Sequence, residues 1–481
     1  MSLGNTQNAK QDSFDASCLI LGFTGSLGSG CSFLANGVKE VLHSKAHYYK
    51  LSDCLEEEAD KRQIKRTVMN LQTLGNELRR KSGRLSVLVE RCLDKVKAED
   101  RVKKFSQDEH TVVLIDGIKN DGEVKSLRQF PNFYLISVHA DRETREKRLV
   151  GEEALYHRFD TSDQFRDADK RDEEEDIPHG QQIKKCNYLA DIIINNNENF
   201  LETRERDKNQ FIQKFIDDYI YPMRKVRKGV PAHDRPPKVE ETLMTMAYCA
   251  SKQSSCLKRK VGAVIAHIKK IKDIYPQASK DRADRDLPFH ILSVGYNDIP
   301  VGKPCIFCEW KKCYRDHLQE QHASKMKHCP NCGTSLPFEI ICPHCGAISK
   351  VRTLECSKCG GDVLADYKCE CCECAVFSLY LPGEDGVPGK LLDMCRAMHA
   401  EENAILGLPE MSQISVGQLV LYTTTFPCNL CANKIIAAGI KTIYYAEPYT
   451  MKESKELLGK CGVNLIKFEG IKSIAYFRLY T

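Results

Sequence analysis

The residues best suited to chemistry are one histidine, one glutamate and two cysteines near the C-terminal end. Glu401 follows His399 by two positions, and Cys428 and Cys431 form a Cys-x-x-Cys pair. One imidazole and two thiolates fill three positions of a tetrahedral Zn²⁺ and leave the fourth open for water, whose pKa the metal lowers toward neutrality. Glu401 would take a proton from that water and pass it on to the substrate. The pattern predicts zinc-dependent hydrolysis.

The alternative for these residues is a closed structural zinc site with a fourth protein ligand. A structural site does not require a glutamate two residues after its histidine ligand, so Glu401 favours catalysis. Both ligand sequences also open helical stretches. The positive ends of the helix dipoles would then favour thiolate at the two cysteines.

A glycine-rich segment near the N-terminus has the spacing of a phosphate-binding loop, G-x-x-x-x-G-K-[ST]. Its candidate nucleotide-binding residues are Gly25, Gly28, Gly30, Cys31 and Ser32. Cys31 stands where lysine is expected, which favours nucleotide binding or regulation over active phosphoryl transfer; a purely structural relic is the remaining alternative. Ser32 keeps the position that usually holds Mg²⁺, so Mg²⁺ with ATP or GTP is the expected cofactor there.

A cysteine-rich insertion, residues 303–376, contains the turns CPNCG, CPHCG and CSKCG, which are typical of zinc knuckles. The spacing resembles a double zinc ribbon with two structural sites. We expect the first site at Cys329, Cys332, Cys342 and Cys345, and the second at Cys356, Cys359, Cys369 and Cys372. Crossed pairing of these cysteines is the competing arrangement. The ribbon could contact protein or RNA, or serve only to staple an insertion too small for its own core.

Two regions of alternating strand-like and helical segments must position the metal ligands and the glycine-rich loop. Apolar runs at 18–21, 112–115, 133–138 and 191–194, separated by helix-length stretches, predict an N-terminal parallel sheet with helices on both faces. Together with the glycine-rich loop, the segments IDGIKNDGEV, HADRETREKRL and CNYLADIIIN resemble the nucleoside and nucleotide kinase branch of P-loop folds. From residue 240, helical and strand-like segments alternate again and predict an α/β/α sandwich. The charge-dense residues 141–185 favour an exposed lid or a solvated helical face.

The predicted fold class is therefore α/β with two domains. We place a P-loop domain at 1–225, a proline-containing basic linker at 226–238, and a second domain at 239–481 that contains the insertion.

Composition limits the class of protein. Lys and Arg total 71 against 66 Asp and Glu, so the total charge gives no strong footprint for nucleic acid, and a small nucleotide fits better than a polymer. The N-terminus lacks a basic segment leading into an apolar one, and no apolar run approaches the length of a membrane span. We expect a cytoplasmic protein without membrane contact, in which 24 cysteines serve metal rather than disulfides.

Residues 240–481 resemble the cytidine and deoxycytidylate deaminases, through the H-x-E and P-C-x-x-C elements and the segments SSCLKRKVGAVI, GYNDIP, HAEENAI and LYTTTFPCNLCANKIIAAGI. The resemblance implies that Asn297 contacts the sugar and that Arg259 and Lys260 lie near the substrate phosphate. Asp298 replaces the glycine usual after that asparagine, which weakens the sugar and phosphate assignments. A solvated strand entry is the alternative for Arg259 and Lys260.

The union of a kinase-like P-loop domain with such a deaminase domain resembles the antiphage dCTP deaminases. The resemblance implies hydrolytic deamination of dCTP and also dCMP, with depletion of dCTP during phage infection. It also implies a homo-oligomer, often a hexamer, and control by an inhibitor, a small RNA or a nucleotide at the P-loop domain. Preference for the triphosphate comes from the resemblance only.

Two other functions remain as alternatives. A polynucleotide cytidine or adenosine deaminase would need a basic, aromatic-lined groove, whereas the chain has one tryptophan and nearly balanced charge. A nucleotide- or RNA-sensing binding protein would carry a vestigial site, against which the intact set of His399, Glu401, Cys428 and Cys431 argues.

Overall fold

The computed structural model describes residues 18–98, 111–152, 154–173, 175, 177–197, 205–227, 236–257, 259–268, 289–299, 339–341, 348–350, 397–409, 419–447 and 452–480. Within these ranges, none of the helices combines the length and hydropathy that a bilayer span requires.

The first part of the chain alternates strands and helices around one sheet. Its strands are β1 (Leu19–Thr24), β2 (Ala46–Lys50), β3 (Val112–Asp116), β4 (Phe133–His139) and β5 (Ile192–Asn195). Its helices are α1 (Cys31–Leu42), α2 (Leu51–Lys61), α3 (Val68–Ser82), α4 (Val87–Ala98), α5 (Asp121–Leu127), α6 (Arg142–Leu149), α7 (Ser162–Glu173), α8 (Ile183–Leu189), α9 (Glu205–Phe215) and α10 (Tyr221–Arg227). Strands β1 to β5 are parallel, in the order β5-β4-β1-β3-β2. The predicted parallel sheet is confirmed.

Strand β1 is buried on both faces, which explains its continuous apolar sequence. Leu19, Leu21 and Phe23 pack on one face with α1 and α9, while Ile20 packs on the other with α4, α5 and α8. The chain then turns through the glycine-rich loop into α1. The loop is thus held at the carboxyl edge of the sheet, where parallel α/β folds bind ligands.

The second sheet is mixed. It contains β6 (Gly262–His267), β7 (His290–Tyr296), β10 (Leu419–Thr425), β11 (Thr442–Glu447) and β12 (Asn464–Lys467), in the order β12-β11-β10-β6-β7. Its helices are α11 (Val239–Ser251), α12 (Ala400–Leu406), α13 (Asn429–Ala437) and α14 (Lys452–Lys460). Helix α11 covers one face, and α12, α13 and α14 cover the other. The predicted three-layer α/β/α arrangement is confirmed.

The short strands β8 (Glu339–Ile341) and β9 (Ile348–Lys350) form an antiparallel pair inside the insertion. They flank the CPHCG turn. All eight cysteines predicted to bind structural zinc lie outside the described residues, so their pairing stays a prediction.

The C-terminal segment returns to the first sheet. Strand β13 (Gly470–Ile471) pairs antiparallel with β5, and α15 (Ser473–Tyr480) follows it. Ile471, Ala475 and Leu479 are buried in the core of the P-loop domain. Residues 239–481 were predicted to form the second domain. The apolar side chains of the last of these residues instead complete the core of the first domain.

The charged segment 141–185 is not simply an exposed face. Arg145 on α6 and Asp169 on α7 are both buried and form an ion pair, and Arg148 is buried beside them. The charges are satisfied by each other and by loop carbonyls, which a count of charged residues does not reveal.

Candidate active site

Two helix starts bring the three predicted metal ligands together. His399 is the N-cap residue of α12, and Cys428 is the N-cap residue of α13, with Cys431 in that helix's first turn. Strand β10 ends at Thr425, three residues before Cys428, so the sheet fixes where α13 begins. The predicted placement of the ligands at helix N-termini is thus observed.

The three ligand atoms surround one point. His399 Nδ1 lies 3.2 Å from Cys428 Sγ and 3.2 Å from Cys431 Sγ, and all three atoms lie within 4.8 Å of one another. Two ligands on one tetrahedral Zn²⁺ lie about 3.5 Å apart, because Zn–N and Zn–S bonds are about 2.1 and 2.3 Å. Among the described residues, no further histidine, cysteine or carboxylate joins this group. The donor set fits a zinc ion held by three side chains.

The two thiols are electrostatically coupled. Hydrogen bonds from Cys431 and His399 lower the pKa of Cys428 to about 4, although burial opposes them. The Cys428 thiolate, burial and the Glu401 carboxylate raise the pKa of Cys431. The second thiol therefore resists ionisation in the protein alone. A divalent cation held by both sulfur atoms would favour the thiolate form of each cysteine.

Glu401 is buried in the second position of α12, 4% exposed. Its Oε1 accepts a hydrogen bond of 2.9 Å from Thr423 Oγ1, and its Oε2 lies 3.5 Å from Cys431 Sγ. Burial raises the pKa of Glu401 above its ordinary value. A buried carboxyl group of raised pKa next to a metal-ligand cluster can hold and release a proton.

Thr423 is a site residue that sequence reasoning missed. It lies on β10, within the run Thr423-Thr424-Thr425, and is fully buried. Strand residues alternate between faces, so Thr423 and Thr425 share a face. The run of three threonines shortly before the Pro427-Cys428 motif was the available signal.

The predicted sugar contact, Asn297, is buried after β7 and has both ends of its amide engaged. Nδ2 donates to Arg259 O at 2.8 Å, and Oδ1 accepts from Val261 N at 2.7 Å. Asn297 thus fixes the backbone that leads into β6. Its contact with a substrate sugar stays a prediction.

The two predicted phosphate contacts differ in environment. Arg259 Nη2 lies 2.5 Å from Glu447 Oε2, and its side chain is 28% exposed. Lys260 Nζ lies 3.4 Å from Lys252 O on an exposed surface. Glu447, at the end of β11, holds the Arg259 guanidinium. This ion pair was not predicted from the sequence.

The glycine-rich loop has the conformation that its sequence predicts. Gly28 and Gly30 adopt φ of +78° and +100°, in the region that favours glycine. Ser32 Oγ donates to Asp116 Oδ2 at 2.5 Å, next to the end of β3. Burial raises the pKa of the Cys31 thiol to about 12. Cys31 thus stays a thiol, and a cysteine side chain carries no positive charge in either protonation state, so it cannot replace the charge of the missing lysine.

Comparison with known proteins places the site in context. Residues 237–447 match the cytidine and deoxycytidylate deaminase zinc-binding region. The deoxycytidylate deaminase of Schizosaccharomyces pombe is 26% identical over 234 residues, which are 48% of this chain and 44% of that protein. ComE operon protein 2 of Bacillus subtilis is 43% identical over 79 residues, which are 16% of this chain and 41% of that protein. The chain thus spans less than half the length of either relative.

Among solved structures, the apo dCMP deaminase of cyanophage S-TIM5 aligns with 48% of this chain and 99% of its own, at 19% identity and a TM-score of 0.22. The family match to residues 237–447 shows that the C-terminal half contains a deoxycytidylate deaminase-like, zinc-binding domain.

Proposed function

We propose that this chain hydrolytically deaminates a deoxycytidine nucleotide, dCTP or dCMP, to the corresponding uracil nucleotide. The observation that carries the proposal is a cluster of three metal-ligating side chains with the buried carboxyl group of Glu401 beside it. Zn²⁺ bound by His399, Cys428 and Cys431 would supply a Lewis acid that lowers the pKa of a water molecule.

Glu401 is the proton carrier in this proposal. The reaction forms a C4–O bond from water, breaks the C4–N bond and releases ammonia. Glu401 takes a proton from the attacking water, delivers it to ring N3, and passes a second proton to the departing amino group. Its Oε1 is fixed by Thr423, which leaves Oε2 on the side of Cys431 and the cluster.

The substrate class rests on the deoxycytidylate deaminases among the relatives and on groups next to the start of β6. Asn297 is proposed to contact the sugar, and Arg259 and Lys260 to contact the phosphate. The Arg259–Glu447 ion pair supports this for Arg259, because it fixes the position of the guanidinium next to the start of β6.

We further propose a role in antiphage defence through depletion of dCTP. The support is the two-domain chain, in which a P-loop domain precedes the deaminase-like domain and shares a core with its last helix. The P-loop residues would bind a nucleotide such as ATP or GTP with Mg²⁺ and regulate the second site. Assembly as a homo-oligomer, such as a hexamer, and control by a small RNA belong to the same proposal.

The test is to incubate the purified full-length protein with dCMP, dCTP, CTP and a single-stranded cytosine oligonucleotide, with and without ATP or GTP. We expect uracil product from dCTP, dCMP or both. Conversion of the oligonucleotide alone would overturn the proposal in favour of a polynucleotide deaminase. No conversion of any substrate by zinc-loaded protein would favour a binding protein with a vestigial site.

A further inference from the structure

The P-loop domain contains a cleft of about 1060 Å³ that the deamination chemistry does not use. Residues 25–32 line it on one side, and apolar side chains of α2 and α3, including Leu55 and Leu71, line it on another. The rest of the lining includes charged side chains, among them Lys119 and Asp172. A cleft of about this size with convergent polar groups is typical of ligand sites.

Three side chains hold the carbonyl groups of loop residues 27–29. Arg145 Nη1 donates to Leu27 O at 3.1 Å, Arg148 Nη1 to Gly28 O at 3.0 Å, and Asn196 Nδ2 to Ser29 O at 2.7 Å. The C=O and N–H of a trans peptide point in opposite directions, so the N–H groups of Gly28 and Gly30 are directed away from these side chains. Such a loop, followed by a helix N-terminus, is suited to bind an anion.

Lys119, three residues after β3, brings a positive charge to the loop. Its Nζ donates to Gly25 O at 3.2 Å and lies 2.6 Å from Asp172 Oδ2. An ammonium group has three donors, so these two contacts leave one for a ligand in the cleft. Asp172 is buried, and the ion pair holds the Lys119 side chain beside the first residue of the loop.

Gln72 on α3 gives a second and independent indication of a ligand. Its Nε2 donates to Ala168 O at 3.2 Å and to Asp172 Oδ1 at 3.5 Å. Its Oε1 is buried and meets no hydrogen-bond donor in the described part of the chain, although the side chain lines the cleft and is only 6% exposed. Buried acceptors are normally satisfied, so an N–H group of a ligand would complete this one.

We propose that Lys119 replaces the lysine missing at Cys31, and that the cleft binds a nucleoside phosphate. The phosphate chain contacts the loop N–H groups and Lys119, and an N–H of the base donates to Gln72 Oε1. The inference rests on the proposed nucleotide binding by the P-loop. It adds Lys119, which provides the positive charge for the phosphates, and Gln72, which recognises the base.

Calorimetric titrations of the zinc-loaded full-length protein test the role of Lys119. The probes are inorganic tripolyphosphate and the tightest binder among ATP, GTP and dCTP, each with Mg²⁺. Lys119→Gln keeps a donor for Asp172 but removes the charge, and should weaken both probes about tenfold to hundredfold. Asp172→Asn, which frees the lysine, should bind both at least as tightly as wild type. Lys125→Gln, on the exposed side of α5, is the matched control and should bind normally.

Gln72→Met tests the base contact, because it should weaken the nucleotide and leave tripolyphosphate unchanged. Equal binding of both probes by Lys119→Gln and wild type would overturn the assignment of Lys119. Equal loss of both probes in Gln72→Met would overturn the base contact. If wild type binds neither probe, the proposed nucleotide binding by the P-loop itself fails, while dCMP and dCTP turnover tests the deaminase proposal separately.

Discussion

Thr423 and Glu401 share a hydrogen bond of 2.9 Å inside the buried site. The same Thr423 Oγ1 lies 3.0 Å from Thr425 O. A hydroxyl group donates one hydrogen bond and also accepts. Thr423 can therefore donate to an ionised Glu401, or accept from a protonated Glu401 while it donates to Thr425 O. It stabilises the carboxyl group in both protonation states.

This geometry predicts that Thr423→Val lowers kcat about tenfold to hundredfold, since a hydrogen bond to a charged group contributes about 1.5–3 kcal/mol. KM and zinc content should stay unchanged, because valine conserves the shape of the side chain. Thr423→Ser retains the hydroxyl and should keep most of kcat. Steady-state kinetics on dCMP and dCTP measures both variants. A wild-type kcat in the valine variant would contradict the positioning role.

Metal binding and proton transfer should separate by mutation. Cys428→Ser removes a ligand, so the protein should lose about one zinc per chain together with its turnover. Glu401→Gln keeps all three ligands and should retain that zinc while turnover falls about 10²–10⁴-fold. Metal analysis by mass spectrometry, alongside kinetics, distinguishes the two. Loss of zinc in Glu401→Gln would show that Glu401 binds the metal and would remove its role as the proton carrier.

Much of the fold could be predicted because its signals are local. Runs such as Ile20 to Phe23 and Val112 to Ile115 are apolar throughout, as expected for parallel strands buried on both faces, and each lies beside a helix-length segment. The zinc site was equally local, since two short motifs contain all its ligands. The spacing could pick out the three side chains that the structure brings together, but not the threonine, because threonine is common in strands for reasons of backbone shape alone.

The return of the C-terminus to the first sheet could not be predicted. Strand β13 contains only Gly470 and Ile471, too few residues for a periodic pattern, and its partners are Ile193 and Ile192 far earlier in the chain. The burial of charged residues on α6 and α7 could not be predicted from the sequence for a similar reason. Their partners lie on other elements, so only the tertiary structure shows that they are satisfied.

Because of Lys472, the free energy of unfolding should increase as the pH rises above about 8. Its Nζ donates to Asn187 O, Tyr188 O and Tyr248 Oη, and burial lowers the pKa of the ammonium to about 8. Between about pH 8 and the ordinary lysine pKa, the unfolded chain binds this proton more tightly, so the free energy of unfolding rises with pH. From pH 8 to pH 10 wild type should gain about 2 kcal/mol relative to Lys472→Met.

Urea unfolding of zinc-loaded protein at several pH values measures this difference. Lys460→Met is the control, because that side chain is 79% exposed. We expect its unfolding free energy to follow the wild-type curve. Parallel curves for wild type and Lys472→Met would contradict a lowered pKa at Lys472.

Glu241 joins the two domains at the start of α11. Its Oε1 accepts from Ile471 N at 2.8 Å, and its Oε2 accepts from Lys238 N at 3.0 Å and from Tyr480 Oη at 3.3 Å. The carboxylate is fully buried, so removing it leaves the N–H group of β13 without this acceptor. Glu241→Ala should therefore lower the free energy of unfolding by about 2–4 kcal/mol.

The substitution should also loosen the C-terminal segment before the protein unfolds globally, because β13 has only two residues with which to hold β5. Hydrogen exchange should then rise in residues 470–480 and in β5, but not in β10 or α13. Glu240→Ala, at the adjacent position of the same helix turn, is the control and should change neither quantity. Unchanged exchange at 470–480 in Glu241→Ala would mean that the apolar contacts of Ile471, Ala475 and Leu479 alone hold the segment, without help from the carboxylate.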